Sequence, residues 1–268
     1  MRSIFLIVLL AAFASFQPAA KAEDAKLPTA REIIDRSIQE MGGRDAFLKH
    51  SSQTAKGKYN AGAQGISGTI ELRAAKPNKL SLIVDLAAVG QIITVYDGTN
   101  AWSINPMTGA MLLEGKMFEQ TAMQAEYDAM LHDDTKFKLM QTVGRTNFEG
   151  KECFAVKLVR KNGDESLEFY DVTNGLPRGT FATQSSPFGT LAVVSVMDDY
   201  KKMGEILFAT KMVQKMSGLE QTMIFESVTF DDVPASTFDV PKEIKTMLGQ
   251  KKSTNAPAGT VPPPAVPK

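Results

Sequence analysis

Residues 95–109 read VYDGTNAWSINPMTG. Asp97-Gly98 is a turn dipeptide, and Asn105-Pro106 followed by Gly109 is another. Between the two turns stands the chain's only tryptophan, Trp102. The strand that carries it is short, and a Trp can anchor it because one indole buries a large apolar area. Side chains alternate along a strand, so Trp102 and Ile104 share one face and Ala101 and Ser103 the other. Turn, short strand and turn make one unit of an antiparallel meander.

The same period of two continues on both sides. In GISGTIELR (65–73), Ile66, Gly68, Ile70 and Leu72 alternate with Ser67, Thr69, Glu71 and Arg73. LSLIVDL (80–86), QIITVY (91–96) and AMLLE (110–114) follow it closely. Further strands are expected near 136–148, 151–160, 165–172, 177–184, 190–200, 205–217 and 220–230. Several are apolar on both faces, as in LAVVSVM (191–197), and such a sheet needs cover on each side or a cavity on one. Two helices are expected. Thr29 with Glu32 forms a capping box that opens the first, and Gly42-Gly43 closes it. A short helical turn, 44–49, follows it. The second, 115–132, places Phe118, Ala122, Ala125 and Ala129 on one face and Met123, Tyr127, Met130 and Leu131 on another. A helix apolar on two sides is enclosed or covers something apolar. The helices are too few to separate the strands into βαβ units, which argues against a parallel sheet. The expected fold is mainly β: a strongly curved antiparallel sheet forming an unclosed half-barrel, with the N-terminal helix and the lid helix on its concave side.

The ends read differently. Residues 1–22 carry Arg2, an apolar run at 4–16 and a small-x-small site ending at Ala22, the pattern of a cleaved signal peptide. The run is shorter than the roughly 20 residues of a membrane span. The expected folded domain is 23–246. Residues 247–268, with Pro at 257, 262, 263, 264 and 267, read as a disordered Pro-rich tail. The expected protein is therefore periplasmic or secreted, without a transmembrane segment. Basic and acidic residues number 30 each. Removing 1–22 takes away Arg2 and Lys21 and leaves 28 − 30 = −2, which argues against nucleic acid as the partner. Cys153 is the only cysteine, so no internal disulfide exists.

Chemistry-bearing motifs are scarce. His50 and His132 are the only histidines, and neither has metal-ligand spacing to another His or to Cys153. His132-Asp133-Asp134 reads as a solvated end to the lid helix. No nucleophile elbow, zincin, P-loop or dinucleotide fingerprint is present. The expectation is no enzyme, no catalytic residue, no metal and no cofactor. Methionine is abundant, at 14 residues, and suits an adaptable apolar surface.

Tyr96-Asp97-Gly98-x-x-x-Trp102-x-x-Asn105-Pro106 resembles the D-G-x-x-x-W-x-x-[ND]-P segment of the LolA-like outer-membrane lipoprotein-sorting family. VTFDDVPASTFDVP (228–241) resembles that family's last strand and closing segment. The resemblance implies an unclosed β-barrel lidded by helices, and among its broader relatives a lipid or lipoprotein carrier or an envelope sensor. The function expected is an exported monomer that holds the acyl chains of a lipid or lipidated protein between sheet and lid, in the service of lipoprotein transport and outer-membrane biogenesis. Alternation selects Leu82, Val84, Ile93, Val95, Trp102, Ile104, Met123, Met130, Phe169 and Phe225 as candidate lining residues. The alternatives are a sensor or scaffold that binds an envelope protein partner, and a hydrolase.

Overall fold

The computed structural model describes residues 26–62, 65–186 and 189–254; the expected signal peptide and the proline-rich part of the tail lie outside them. The chain opens with helices α1 (Ala30–Glu40) and α2 (Arg44–Lys49). Six strands follow: β1 (Ser52–Ala61), β2 (Ile66–Ala75), β3 (Lys79–Leu86), β4 (Gly90–Tyr96), β5 (Ala101–Asn105) and β6 (Gly109–Leu112). Helix α3 (Gly115–Gln124) and two 3₁₀ turns (Ala129–Leu131, Asp134–Lys136) interrupt the strands. Seven more come next: β7 (Phe137–Phe148), β8 (Lys151–Arg160), β9 (Glu165–Asp171), β10 (Pro177–Ser186), β11 (Gly189–Met203), β12 (Ile206–Met216) and β13 (Leu219–Phe230). A 3₁₀ turn (Ala235–Phe238) and helix α4 (Lys242–Thr254) end the described chain.

Among the described residues the thirteen strands make one antiparallel sheet in the order β6-β5-β4-β3-β2-β1-β13-β12-β11-β10-β9-β8-β7. The first strand pairs with the last, so the two meanders meet at the centre. The free edges are β6 and β7, neighbours in sequence, and residues 113–136 must run from one edge to the other. Helix α3 touches β4 and β5 and also β10. Six strands separate β4 from β10, a path of roughly 34 Å along a flat sheet at ~4.8 Å per strand. A helix about 10 Å across cannot reach both unless the sheet curls around it. The unclosed half-barrel is therefore a consequence of the strap that joins its edges.

Two helical clusters sit on the inner, concave face. The capping box of α1 is complete: Thr29 N donates to Glu32 Oε2 (2.7 Å) and Glu32 N to Thr29 Oγ1 (3.3 Å). Ile33, Ile34 and Ile38 of α1 pack on Phe154, Val156, Leu158 and Tyr170 of β8 and β9. At the other end, Phe118 and Ala122 of α3 and its C-cap residue Ala125 pack with Ala74, Leu80, Tyr96 and Ala101. Gln120 secures α3 to the far wall: its amide donates to Thr183 O (3.1 Å) and accepts from Ser185 N (2.8 Å), beyond the point where β9 stops pairing with β10.

Two expectations need correction, and one strand was not expected. The lid helix ends at Gln124 rather than 132, because Tyr127 N donates to Pro77 O of the β2–β3 turn and draws the chain out of helical register. The ordered body continues past residue 246: α4 runs to Thr254, with Met247 and Leu248 packed in the Trp102 cluster. Strand β1 has no apolar alternation to reveal it; it is a strand because β2 and β13 hydrogen-bond it on both sides.

Gly57 marks the tightest point of that central pairing. A Cβ there would lie 2.0 Å from the carbonyl oxygen of Ile224 on β13. Gly57→Ala is expected to destabilise the protein by roughly 2 kcal/mol through overpacking of backbone that cannot retreat. The urea midpoint measures this, and an unchanged midpoint would mean that β1 and β13 do not approach so closely.

Candidate functional site: an apolar cavity under the strap

Between the α1 and α3 clusters the inner face holds a cavity of about 190 Å³. Ala55, Leu72, Met197, Met212, Phe225 and Val228 of the sheet line it, and Met41 at the C-cap of α1, Phe47 of α2 and Met130 of the strap cover it. Its lining is almost wholly apolar. A larger open cleft, about 550 Å³, lies between α1, α2 and the strap. Arg31, Arg44, Lys136, Asp35, Asp128, Asp133 and Asp134 line that cleft, so it offers mixed charge and no place for hydrocarbon.

The strap is pinned by buried charge. His132 is only 8% exposed. Its Nδ1 lies 3.0 Å from Met130 O and its Nε2 2.9 Å from Glu168 Oε2 on β9. A carbonyl and a carboxylate both accept, so each nitrogen donates and the ring is an imidazolium. Burial opposes that charge, but the Glu168 carboxylate outweighs it and holds the His132 pKa above its ordinary value. Burial likewise opposes the Glu168 carboxylate, and the attraction and hydrogen bonds of His132, with one from Tyr170, hold it below the usual range. The Tyr170 hydroxyl donates to the same oxygen (2.5 Å), and burial next to a carboxylate pushes its own pKa well up. His132 thus sits inside the fold rather than in solvent, in a left-handed conformation (φ 48°) that turns the strap inward. Arg31 Nη1 donates to His132 O (2.9 Å), and Arg160 and Lys136 both pair with Glu126.

Of the residues selected by alternation, Met130 and Phe225 line the cavity. Leu82 and Val84 lie on the inner face beside it, opposite Leu72 and Ile70. Met123 is half-buried on α3 and does not line it. The remaining five face the other way. Ile93, Val95, Trp102 and Ile104 form an outer-face core with Phe238 and Ile244, closed by α4. Phe169 stacks on Phe148 (centroids 4.0 Å) over Cys153 and Ala155, also outside. Alternation separates two faces but does not say which is concave, and the cover that settles it is α4, which the sequence pattern does not disclose. Met197, Met212 and Val228 also line the cavity and are missing from the alternation set, although each shares its face with a selected neighbour or a facing strand.

Both histidines are engaged by carboxylates. Both nitrogens of His132 are occupied. His50 Nδ1 contacts Asp231 (2.7 Å), but the Ser51 hydroxyl donates to that same carboxylate rather than to the imidazole. Asp231 is held far below its usual pKa first by the His50 hydrogen bond and then by those from Ser51, which makes the group a brace between β13 and the start of β1. Among the described residues no three His, Cys, Asp or Glu side chains gather as a metal site requires, and no helix is long and apolar enough to cross a membrane.

Solved structures of other proteins share this architecture. A DUF1329 family protein from Desulfovibrio piger superposes with a TM-score of 0.53 at 11% identity, over 78% of this chain and 97% of that one. A LolA superfamily protein from Nitrosomonas europaea gives 0.53 at 12%, over 80% and 99%. A putative outer membrane lipoprotein-sorting protein domain from Vibrio parahaemolyticus gives 0.50 at 13%, over 81% and 97%. At such identities the likeness is one of fold, and that fold is LolA-like. No curated protein matches the chain. A family model matches residues 91–244, more than half of the chain, and by that match the protein belongs to DUF4412, a domain of unknown function.

Proposed function

We infer that the protein is an exported, non-enzymatic carrier that holds an acyl chain, of a lipid or a lipidated protein, in the cavity beneath the strap. The observation that carries this reading is the cavity itself: an apolar hollow on the concave face, roofed by Met41, Phe47 and Met130. Methionine is unbranched and adapts to different chains without strain. The LolA-like fold, and a neighbour whose name includes lipoprotein sorting, support it. A periplasmic or secreted location would follow from cleavage after residue 22.

The volume sets a limit. At ~30 Å³ for a water-sized unit, 190 Å³ holds roughly six such units. Six methylenes at ~0.8 kcal/mol contribute about 5 kcal/mol. Association costs about 4–15 kcal/mol, so this volume alone does not bind tightly. The chain must extend along the inner face or displace the roof. The small volume, with α1 and α3 filling both flanks, also favours a second reading: a scaffold with a closed interior. Titration with a fluorescent phospholipid decides between them. Wild-type protein is expected to bind it saturably, and Met212→Trp, which fills the cavity, to weaken binding at least about tenfold while the fold persists. Absence of saturable binding by the wild type would favour the scaffold.

A further inference from the structure

Beside the cavity, one row of side chains across the inner face is polar from end to end. The strand registers align Gln221 of β13 with Gln214 of β12, Gln214 with Ser195 of β11, Ser195 with Thr180 of β10, and Thr180 with Glu168 of β9. Apolar rows flank it. Met223, Met212 and Met197 lie on one side, and Leu219, Met216, Val193 and Ala182 on the other. Met212 and Met197 line the cavity and stand two residues from Gln214 and Ser195, about 6.6 Å along their strands. A ligand chain leaving the cavity along the sheet meets this row next.

The hydrogen bonds within the row are directional and stop short. Tyr59 OH donates to Gln221 Oε1 (2.6 Å), and Gln221 Nε2 donates to Gln214 Oε1 (3.2 Å). The Gln214 carbonyl is thus engaged by its neighbour, while its own N–H groups have no protein partner among the described residues. The hydroxyls of Ser195 and Thr180 have none there either, although Ser195 is buried. Three adjacent donors therefore face a greasy trough. No Lys or Arg stands in these three rows, and Glu168 closes the polar one with a carboxylate. A desolvated anion would find no unpaired positive charge there, because the His132 imidazolium is already paired with Glu168. A neutral acceptor fits: a carbonyl oxygen.

The geometry points to a linkage subsite, in which Gln214, Ser195 and Thr180 donate to the ester or amide carbonyls that join acyl chains to their head. This rests on the carrier reading and narrows it to acyl-linked amphiphiles, against bare hydrocarbon or ionised fatty acid.

The test is competition against the fluorescent phospholipid by two phospholipids of equal head and chain length, one ester-linked and one ether-linked. The ester form is expected to compete about tenfold better with wild-type protein, the scale of one to two net hydrogen bonds. Gln214→Leu and Ser195→Ala are each expected to bring the ratio toward one while leaving ether-lipid affinity unchanged. Equal competition by the two lipids with wild-type protein, which needs no variant to fold, would overturn the subsite and leave the carrier standing. Failure of the probe to bind would remove both.

Discussion

Trp102→Ala is expected to lower stability by about 3–5 kcal/mol, the usual cost of emptying a large buried aromatic site. Trp102 is 1% exposed and lies between Val95 and Leu112 on neighbouring strands. Phe238 and Ile244 close over it, so the loss would loosen α4 together with β4–β6. The denaturant midpoint by circular dichroism measures the effect, since the variant has no tryptophan fluorescence. Because the indole faces the outer side, the surviving folded fraction is expected to bind lipid with unchanged affinity. A variant of near-native stability that no longer bound lipid would return Trp102 to the cavity and contradict its position on the outer face.

Glu168→Gln is expected to cost about 3–5 kcal/mol, because it leaves the His132 charge buried without its partner. The pH profile identifies the cause. The His132 pKa is raised in the fold, so its contribution is complete below the unfolded value near 6.5 and is lost as pH rises through the folded value. The Glu168 pKa is lowered, so its contribution is complete above the unfolded value near 4.3 and is lost as pH falls through the folded value. Stability from this pair is greatest between about pH 4.3 and 6.5 and declines on both sides. Glu168→Gln should flatten both limbs. Equal loss at every pH would mean that the pair is a neutral packing contact. The strap carries Met130 of the roof, so the variant is also expected to exchange the amides of residues 125–136 faster.

How much of the fold is legible in the sequence depends on local pattern. The strands from Ile66 onward follow from period-two alternation and glycine turns, because each side chain's face is set by its immediate neighbours. The α1 capping box is likewise a contact between residues three apart. Strand β1 and the 132–168 ion pair depend on partners far along the chain, which no local window contains. The polar row leaves a visible trace: Met212-x-Gln214-x-Met216 and Leu219-x-Gln221-x-Met223 each set one glutamine among same-face apolar residues. Its meaning requires the register, since only cross-strand alignment turns separate polar positions into one line. Trp102 shows the opposite failure. Its burial is legible from size and turn spacing, but its side of the sheet is decided by α4, a helix rich in Lys whose apolar contacts are Ile244, Met247 and Leu248.

Native mass spectrometry of the protein purified without detergent bears most directly on whether the inner cavity holds an acyl chain. The expected spectrum shows wild-type protein with an added lipid mass that Met212→Trp lacks. A wild-type mass equal to the polypeptide alone, from protein that also fails to take up lipid offered in excess, would contradict it.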